Sequence, residues 1–244
     1  MQTTKSRKPA VFPSTRWSLI QVIQQRGADA AKPALDEICR NYWLPVYVFI
    51  RRGGKNATDA EDLTQGFFEK LLAGSFFEQP DRDRGRLRNY LLRSVKNYVA
   101  AEYQKQQAQK RGGSAELVFI DADHAEGLGL TELIPSSDLP PDESFERRWA
   151  RDLLARGLQQ LRGEYESKDQ AELFEKVSPM LSEKTPGAIA ETAAALGSTE
   201  NAIRISLHRL KKRYQTIIRN EVRLTLEPGA DVETELRYLA GLVG

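Results

Sequence analysis

Histidine and cysteine are nearly absent from this chain. Its 244 residues contain one cysteine, Cys39, and two histidines, His124 and His208. A single thiol excludes an internal disulfide and a multi-thiolate metal site, and it fits a reducing cytoplasm. Two distant histidines give no metal-ligand spacing and little material for a His-dependent triad. Long apolar runs are missing too. The longest, from Tyr42 to Ile50, has nine residues and contains Pro45, whereas a membrane span needs about 20. The opening MQTTKSRKPA carries cations with no apolar core behind them, so no secretory signal is expected there. No internal repeat is visible. Period-two alternation is nearly absent, with one short β-like stretch from Leu117 to Ile120. There is also no carboxylate cluster set for two metals, no phosphate-cradling glycine loop and no nucleophile–base pair. Asp59, Glu61 and Asp62 come nearest to a metal cluster, but a helix start explains them more simply. An enzyme is not expected, nor is a cofactor.

What is present is helical periodicity. A first helix is expected after Ser14 or Thr15, with Trp17, Ile20 and Ile23 inward. A second spans about Pro33 to Arg52 through Leu35, Ile38, Tyr42, Val46 and Phe49, and Gly53-Gly54 ends it. A third begins at Thr58, where Thr58 and Glu61 form a T-x-x-E capping box. Its apolar positions are Ala60, Leu63, Phe67, Phe68, Leu71 and Leu72. A fourth covers about Arg86 to Gln107 around the stripe Leu87, Leu91, Val95 and Tyr98. Near the end, Val232, Leu236, Leu239 and Val243 share one side of an amphipathic stretch from Asp231 to Val243, expected to pack on the preceding domain.

The total charge is only +2, yet it is strongly sorted. Residues 82–111 hold nine Lys/Arg against Asp83 and Glu102, a net +7. Residues 112–146 hold nine acids and no Lys or Arg, together with Pro135, Pro140, Pro141 and four glycines. That composition reads as an acidic, mostly extended linker. Residues 199–223 return to a net +5. The expected organisation is all-α: two small helical domains at 14–112 and 146–226, an acidic linker at 113–145 between them, and a C-terminal amphipathic helix at 227–244.

The second domain carries a DNA-binding signature. In GAIAETAAALGSTENAI a short helix from Ala188 to Leu196 meets Gly197, and Thr199 is placed to cap a second helix. Two helices joined by a three- to four-residue turn with glycine form a helix-turn-helix. In the second helix Ile203, Leu207, Leu210, Tyr214 and Ile218 recur at spacings of four, three, four and four, which marks the buried face. Asn201, Arg204, Ile205, His208, Arg209 and Lys212 lie outside that stripe. Arg204 and Arg209 suit guanine edges or phosphates, Asn201 suits adenine, and Ile205 suits a thymine methyl. Lys211, Lys212 and Arg213 lie further along and suit phosphates. Neutralising about five phosphates gives a log–log salt slope of roughly −4.5.

In the first domain, DAEDLTQGFFEKLL combines acids with an apolar stripe too wide for one seam. It resembles the core-polymerase-binding helix of extracytoplasmic-function (ECF) sigma factors in the sigma-70 superfamily, whose pattern is roughly D-A-E-D-L-x-Q-E-x-F. Asp59, Ala60, Glu61, Asp62, Leu63, Gln65 and Phe68 match, and Gly66 replaces the usual Glu. DRDRGRLRNYLLRSVKNYVAAEY is similar to the segment that recognises and melts the −10 promoter element, with Tyr90 where the family often has Trp. The helix-turn-helix resembles the module that reads the −35 element, with Ala193, Leu196, Gly197, Ile203, Arg204, Leu207 and Arg209 in register and Thr192 in place of a common Ile. TRWSLI, the YW-P-Y of the second helix and QKRGG further suggest a particular ECF subgroup. The similarity covers about residues 14–225.

This resemblance implies a promoter-specificity subunit that binds bacterial core RNA polymerase and reads duplex −35 and single-stranded −10 DNA, with an anti-sigma factor as a possible further partner and no membrane. It implies polymerase contacts at Asp59, Glu61, Asp62, Gln65 and Phe68, and −10 contacts at Arg88, Asn89, Tyr90, Arg93, Lys96 and Tyr103. Exposed tyrosines can stack on unpaired bases for about 1–3 kcal/mol each. Opening about ten base-pair steps costs on the order of 14 kcal/mol. Two stacks leave a deficit that only a large partner can fill. The acidic linker then either threads a basic nucleic-acid channel or acts as a solvated spacer. A free-standing helix-turn-helix regulator is the competing expectation; it needs no acidic, aromatic docking surface and no exposed tyrosines on a basic helix, so the Asp59–Leu72 helix tells the two apart.

Overall fold

The computed structural model describes residues 28–73, 86–110, 139–182, 185–227 and 229–243. The expected helix after Ser14, the β-like stretch at Leu117 and most of the acidic linker lie outside them. The described residues are all-α. Eight helices follow in order: α1 (Ala28–Arg52), α2 (Ala57–Leu72), α3 (Leu87–Lys110), α4 (Pro141–Glu166), α5 (Ala171–Val177), α6 (Ala188–Ala195), α7 (Glu200–Leu224) and α8 (Val232–Val243). A 3₁₀ turn, Ser178–Leu181, follows α5.

Local chemistry sets the boundaries. Gly53 N–H donates back to the Phe49 and Ile50 carbonyls, and Gly54 takes φ +89°, a left-handed conformation that suits glycine. α2 starts one residue earlier than the expected capping box at Thr58. Asn56 is the cap: its side-chain oxygen accepts from Asp59 N–H at 2.8 Å, and its Nδ2 donates to Asp59 Oδ2 at 3.1 Å. α4 begins inside the stretch expected as linker. Pro141 fits the first helical position, where no N–H is needed, and Ser144 N–H reaches the Pro140 carbonyl at 2.9 Å.

α4 organises the packing. α1 runs along α4, α2 packs on α1 in turn, and α7 and α8 also pack on α4. Trp149 is fully buried beside Phe145 and stacks on Tyr42 of α1, ring centroids 6.3 Å apart. On the α7 side, Tyr214 donates its hydroxyl to the Leu154 carbonyl at 2.9 Å. One buried cluster therefore joins Ile38, Tyr42, Phe67, Leu91, Trp149, Ile218 and Leu239. It draws on both regions expected to be separate domains. Two smaller clusters, around Leu161 and Phe174 and around Val177 and Ile203, hold α5, α6 and the start of α7. The stripe Leu87, Leu91, Val95 and Tyr98 is buried as its spacing predicts. α3 is also tied to the end of α7, where Leu87 N–H donates to the Thr225 carbonyl at 3.1 Å and Arg86 pairs with Leu226 across a single antiparallel bridge.

Candidate nucleic-acid interface

α6 and α7 meet at a tight turn. Ser198 N–H donates to the Ala193 carbonyl at 2.8 Å, and Gly197 sits at φ +57°. Thr199 caps α7 as expected, its hydroxyl accepting from Ala202 N–H at 3.2 Å. Ala193 and Ile203 are buried against Val177 beneath the turn. This anchoring fixes the angle at which α7 leaves the turn.

All six residues expected on the outer face of α7 are exposed: Asn201, Arg204, Ile205, His208, Arg209 and Lys212. Ile205 is 44% exposed, an apolar side chain left on an otherwise polar surface. Arg204 holds Glu200 at 2.8 Å one turn back. Both side chains are more than half exposed, so this pair is weak and readily exchanged for a phosphate. Arg213, expected to hold a phosphate, is engaged instead. It donates two hydrogen bonds, at 2.7 and 2.6 Å, to Glu164 of α4. These bonds push the Glu164 carboxyl below the usual carboxylate range and raise the Arg213 guanidinium. Lys211 is only partly exposed.

The expected single-strand face of α3 divides in two. Asn89, Arg93 and Tyr103 are exposed, Tyr103 by 51%. Lys55 lies 5.9 Å from the Tyr103 ring centroid, a cation that the sequence reading did not include. Tyr103, Lys55, Lys96, Phe49, Val99 and Asp142 help line a recess of about 490 Å³. Lys96 is half-exposed but bonded to Asp142 at 2.5 Å. Tyr90 is half-buried, and burial pushes its hydroxyl pKa up.

Arg88 corrects the sequence expectation outright. It is fully buried, so in this conformation it cannot meet a phosphate. Its guanidinium is ion-paired with Glu235 of α8, lies 3.7 Å from a Glu146 oxygen, and stands over the rings of Trp149 at 5.1 Å and Tyr238 at 5.4 Å. The reason is spacing: Arg88 is flanked on its face by Leu91, Leu92 and Val95, so it turns inward with them. One signal in the sequence does point there. Glu235 interrupts the apolar side of α8 between Val232 and Leu239, and an acid in that position needs a buried cation.

On α2, Asp59, Glu61, Asp62 and Gln65 form an exposed polar row, and Gln65 donates to Glu69 at 2.9 Å. Phe68 departs from its expected docking role, being only 5% exposed. It packs edge-on against Phe67, centroids 5.2 Å apart, so adjacent rings both find the core by straddling it. Gly66 leaves room for α3: a Cβ there would meet the Tyr98 hydroxyl at 2.4 Å.

No family model, curated protein or solved structure matches this chain.

Among the described residues, no group of three or more His, Cys, Asp or Glu is placed to hold a metal, and no helix is long and apolar enough to cross a membrane. The site as built offers an anchored helix with a cationic outer face, a second basic helix with exposed aromatic and amide groups, and a separate acidic row.

Proposed function

We propose that this chain is an ECF-like sigma factor, a subunit that binds bacterial core RNA polymerase and directs it to promoters. The single observation that carries the reading is the outer face of α7. Six side chains suited to base edges and phosphates stand together in solvent on a helix held rigidly by a short turn. On this reading α7 enters the major groove of the −35 element. Asn201, Arg204, Ile205 and Arg209 read bases, and Lys212 holds phosphate. Asn89, Arg93, Lys96 and Tyr103 of α3 take the opened −10 strand, with Tyr103 as the stacking group. Asp59, Glu61, Asp62 and Gln65 of α2 form the polymerase contact, and Phe68 shapes that helix from beneath. Gly66 replaces the family's Glu for a local reason, since Tyr98 fills the space a side chain would need.

Burial of Arg88 and Phe68 removes two groups from the expected contact sets. That observation favours a second reading, a free-standing helix-turn-helix regulator acting through α7 alone. Transcription in vitro separates the two. Sigma-free core polymerase with this chain should start transcripts at defined positions on supercoiled genomic fragments. A regulator would bind the same DNA and start none.

A further inference from the structure

The cations of α3 are met by carboxylates from distant helices. Glu235 of α8 is buried, and its two oxygens divide between Arg88 and Arg86, the latter at 2.8 Å. Asp142 at the start of α4 takes Lys96 at 2.5 Å, and Glu146, one turn on, lies 3.7 Å from Arg88. Tyr238 of α8 completes the arrangement. Its ring lies under the guanidiniums of Arg86 and Arg88 at 5.0 and 5.4 Å, and its hydroxyl donates to Glu146. Carboxylates thus stand where phosphates would otherwise stand: Glu235 accepts from Arg88 Nη1, while Arg88 Nε and Nη2 are buried without a hydrogen bond, and an aromatic ring covers the guanidinium faces.

The element that brings Glu235 is short and stays partly exposed. α8 has twelve residues, a length that is marginal for a helix alone in water. Leu239 is buried, whereas Val232, Leu236 and Val243 are only partly so. A groove of about 560 Å³ remains beside α8, lined by Leu154 of α4, Tyr214 and Ile218 of α7 and Leu236 itself. The outermost tie, Arg219 to Glu233 at 2.8 Å, is between half-exposed side chains. A strong polar contact on a short, partly exposed carrier suits a device that must let go.

We propose that α8 is an autoinhibitory clasp. Glu235 and Tyr238 hold Arg86 and Arg88 away from single-stranded DNA, and release of α8 frees the basic row of α3 for the phosphates. This rests on the proposed role of α3 in taking the opened strand. Binding then competes with the clasp, so the affinity seen for the closed chain is reduced by the population of the open form.

The test uses the full chain and a fluorescent single-stranded oligonucleotide at fixed salt. Glu235→Gln/Asp142→Asn, with helical content matching the parent, should bind at least about tenfold tighter, because minor open states are typically populated at about 0.1–10%. Duplex binding through α7 should not change. The unaltered chain gives a second readout that needs no variant: amide hydrogen exchange over 232–243 should quicken when the oligonucleotide is saturating. A folded variant with unchanged single-strand affinity, or α8 amides that stay protected in the complex, would overturn the clasp while leaving duplex binding and polymerase capture standing. A chain that binds neither form of DNA and captures no polymerase would overturn the clasp and the sigma-factor reading together.

Discussion

Arg88 and Glu235 form a buried ion pair across 147 positions of sequence, and the side chain of neither is more than 2% exposed. Each is the nearest opposite charge to the other, with Arg86 and Glu146 further out. Removing one partner from such a pair leaves an uncompensated buried charge, at a cost of about 3–5 kcal/mol. Glu235→Leu should therefore destabilise the chain by that amount in urea unfolding. Arg88→Met/Glu235→Leu should recover most of the loss, since well-packed apolar replacements of buried pairs are often neutral. A double variant no better than the single one would mean that Glu146, not Glu235, is the partner that matters.

Arg209 and Lys212 should separate by the kind of DNA contact they make. Arg209→Ala is expected to weaken binding to the preferred duplex by about 1–3 kcal/mol and to relax the base preference at one position. Lys212→Ala should weaken all duplexes alike and make the salt slope shallower by about 0.9. Salt-dependent anisotropy on specific and scrambled duplexes reads both. An equal loss on all sequences for Arg209→Ala would make it a phosphate contact.

The Tyr238 hydroxyl is pushed up to about 12 by burial, by its hydrogen bond to Glu146 and by that carboxylate's charge. A folded-state pKa above the unfolded value of about 10 favours the neutral form in the native chain. This contribution to stability is complete below pH about 10 and is lost as pH rises through about 12. Tyrosinate absorbance of the folded chain should show a late-titrating group near pH 12 that Tyr238→Phe removes, and the variant's stability should fall less between pH 10 and 12.

Two glycines of α4 predict opposite effects of the same substitution. Gly163 is exposed and a Cβ there would meet nothing within 4 Å, so Gly163→Ala should stabilise by about 0.4–1 kcal/mol through helix propensity and a less flexible unfolded chain. Gly157 faces α7, where a Cβ would meet Ile218 at 2.4 Å and Tyr214 at 3.3 Å. Gly157→Ala should lose more to overpacking, about 1–3 kcal/mol, than the helix gains. Urea midpoints of the two variants should move in opposite directions.

The buried stripes of α1, α2, α3 and α7 were legible because helical periodicity is a local property of sequence. The outer face of α7 was legible for the same reason: its buried positions were fixed by spacing, and the rest followed. Arg88 was not legible from its own basic neighbours; the one hint lay 147 positions later, in the acid Glu235 on the apolar side of α8. Phe68 misled because two adjacent aromatic rings suggested a spare apolar surface, whereas both fit one core by tilting. Pro140-Pro141 read as linker, yet proline at the first helical position is a normal start. The cap at Asn56 was missed because Thr58 offered the better-known box pattern two residues later. What escaped depended on long-range partners or on a choice between two adequate local signals.

The most direct test of the central claim is co-purification with sigma-free core RNA polymerase, comparing the parent chain with Asp62→Ala/Gln65→Ala. Both residues are exposed on α2, so their loss should leave the fold intact, whereas truncating the buried Phe68 would cost about 3–5 kcal/mol of stability and confuse the result. The account predicts that the parent chain is retained by the polymerase and that the double variant, with helical content unchanged, is not. A folded parent chain that binds duplex DNA in a salt-sensitive way but is never retained by core polymerase would contradict it.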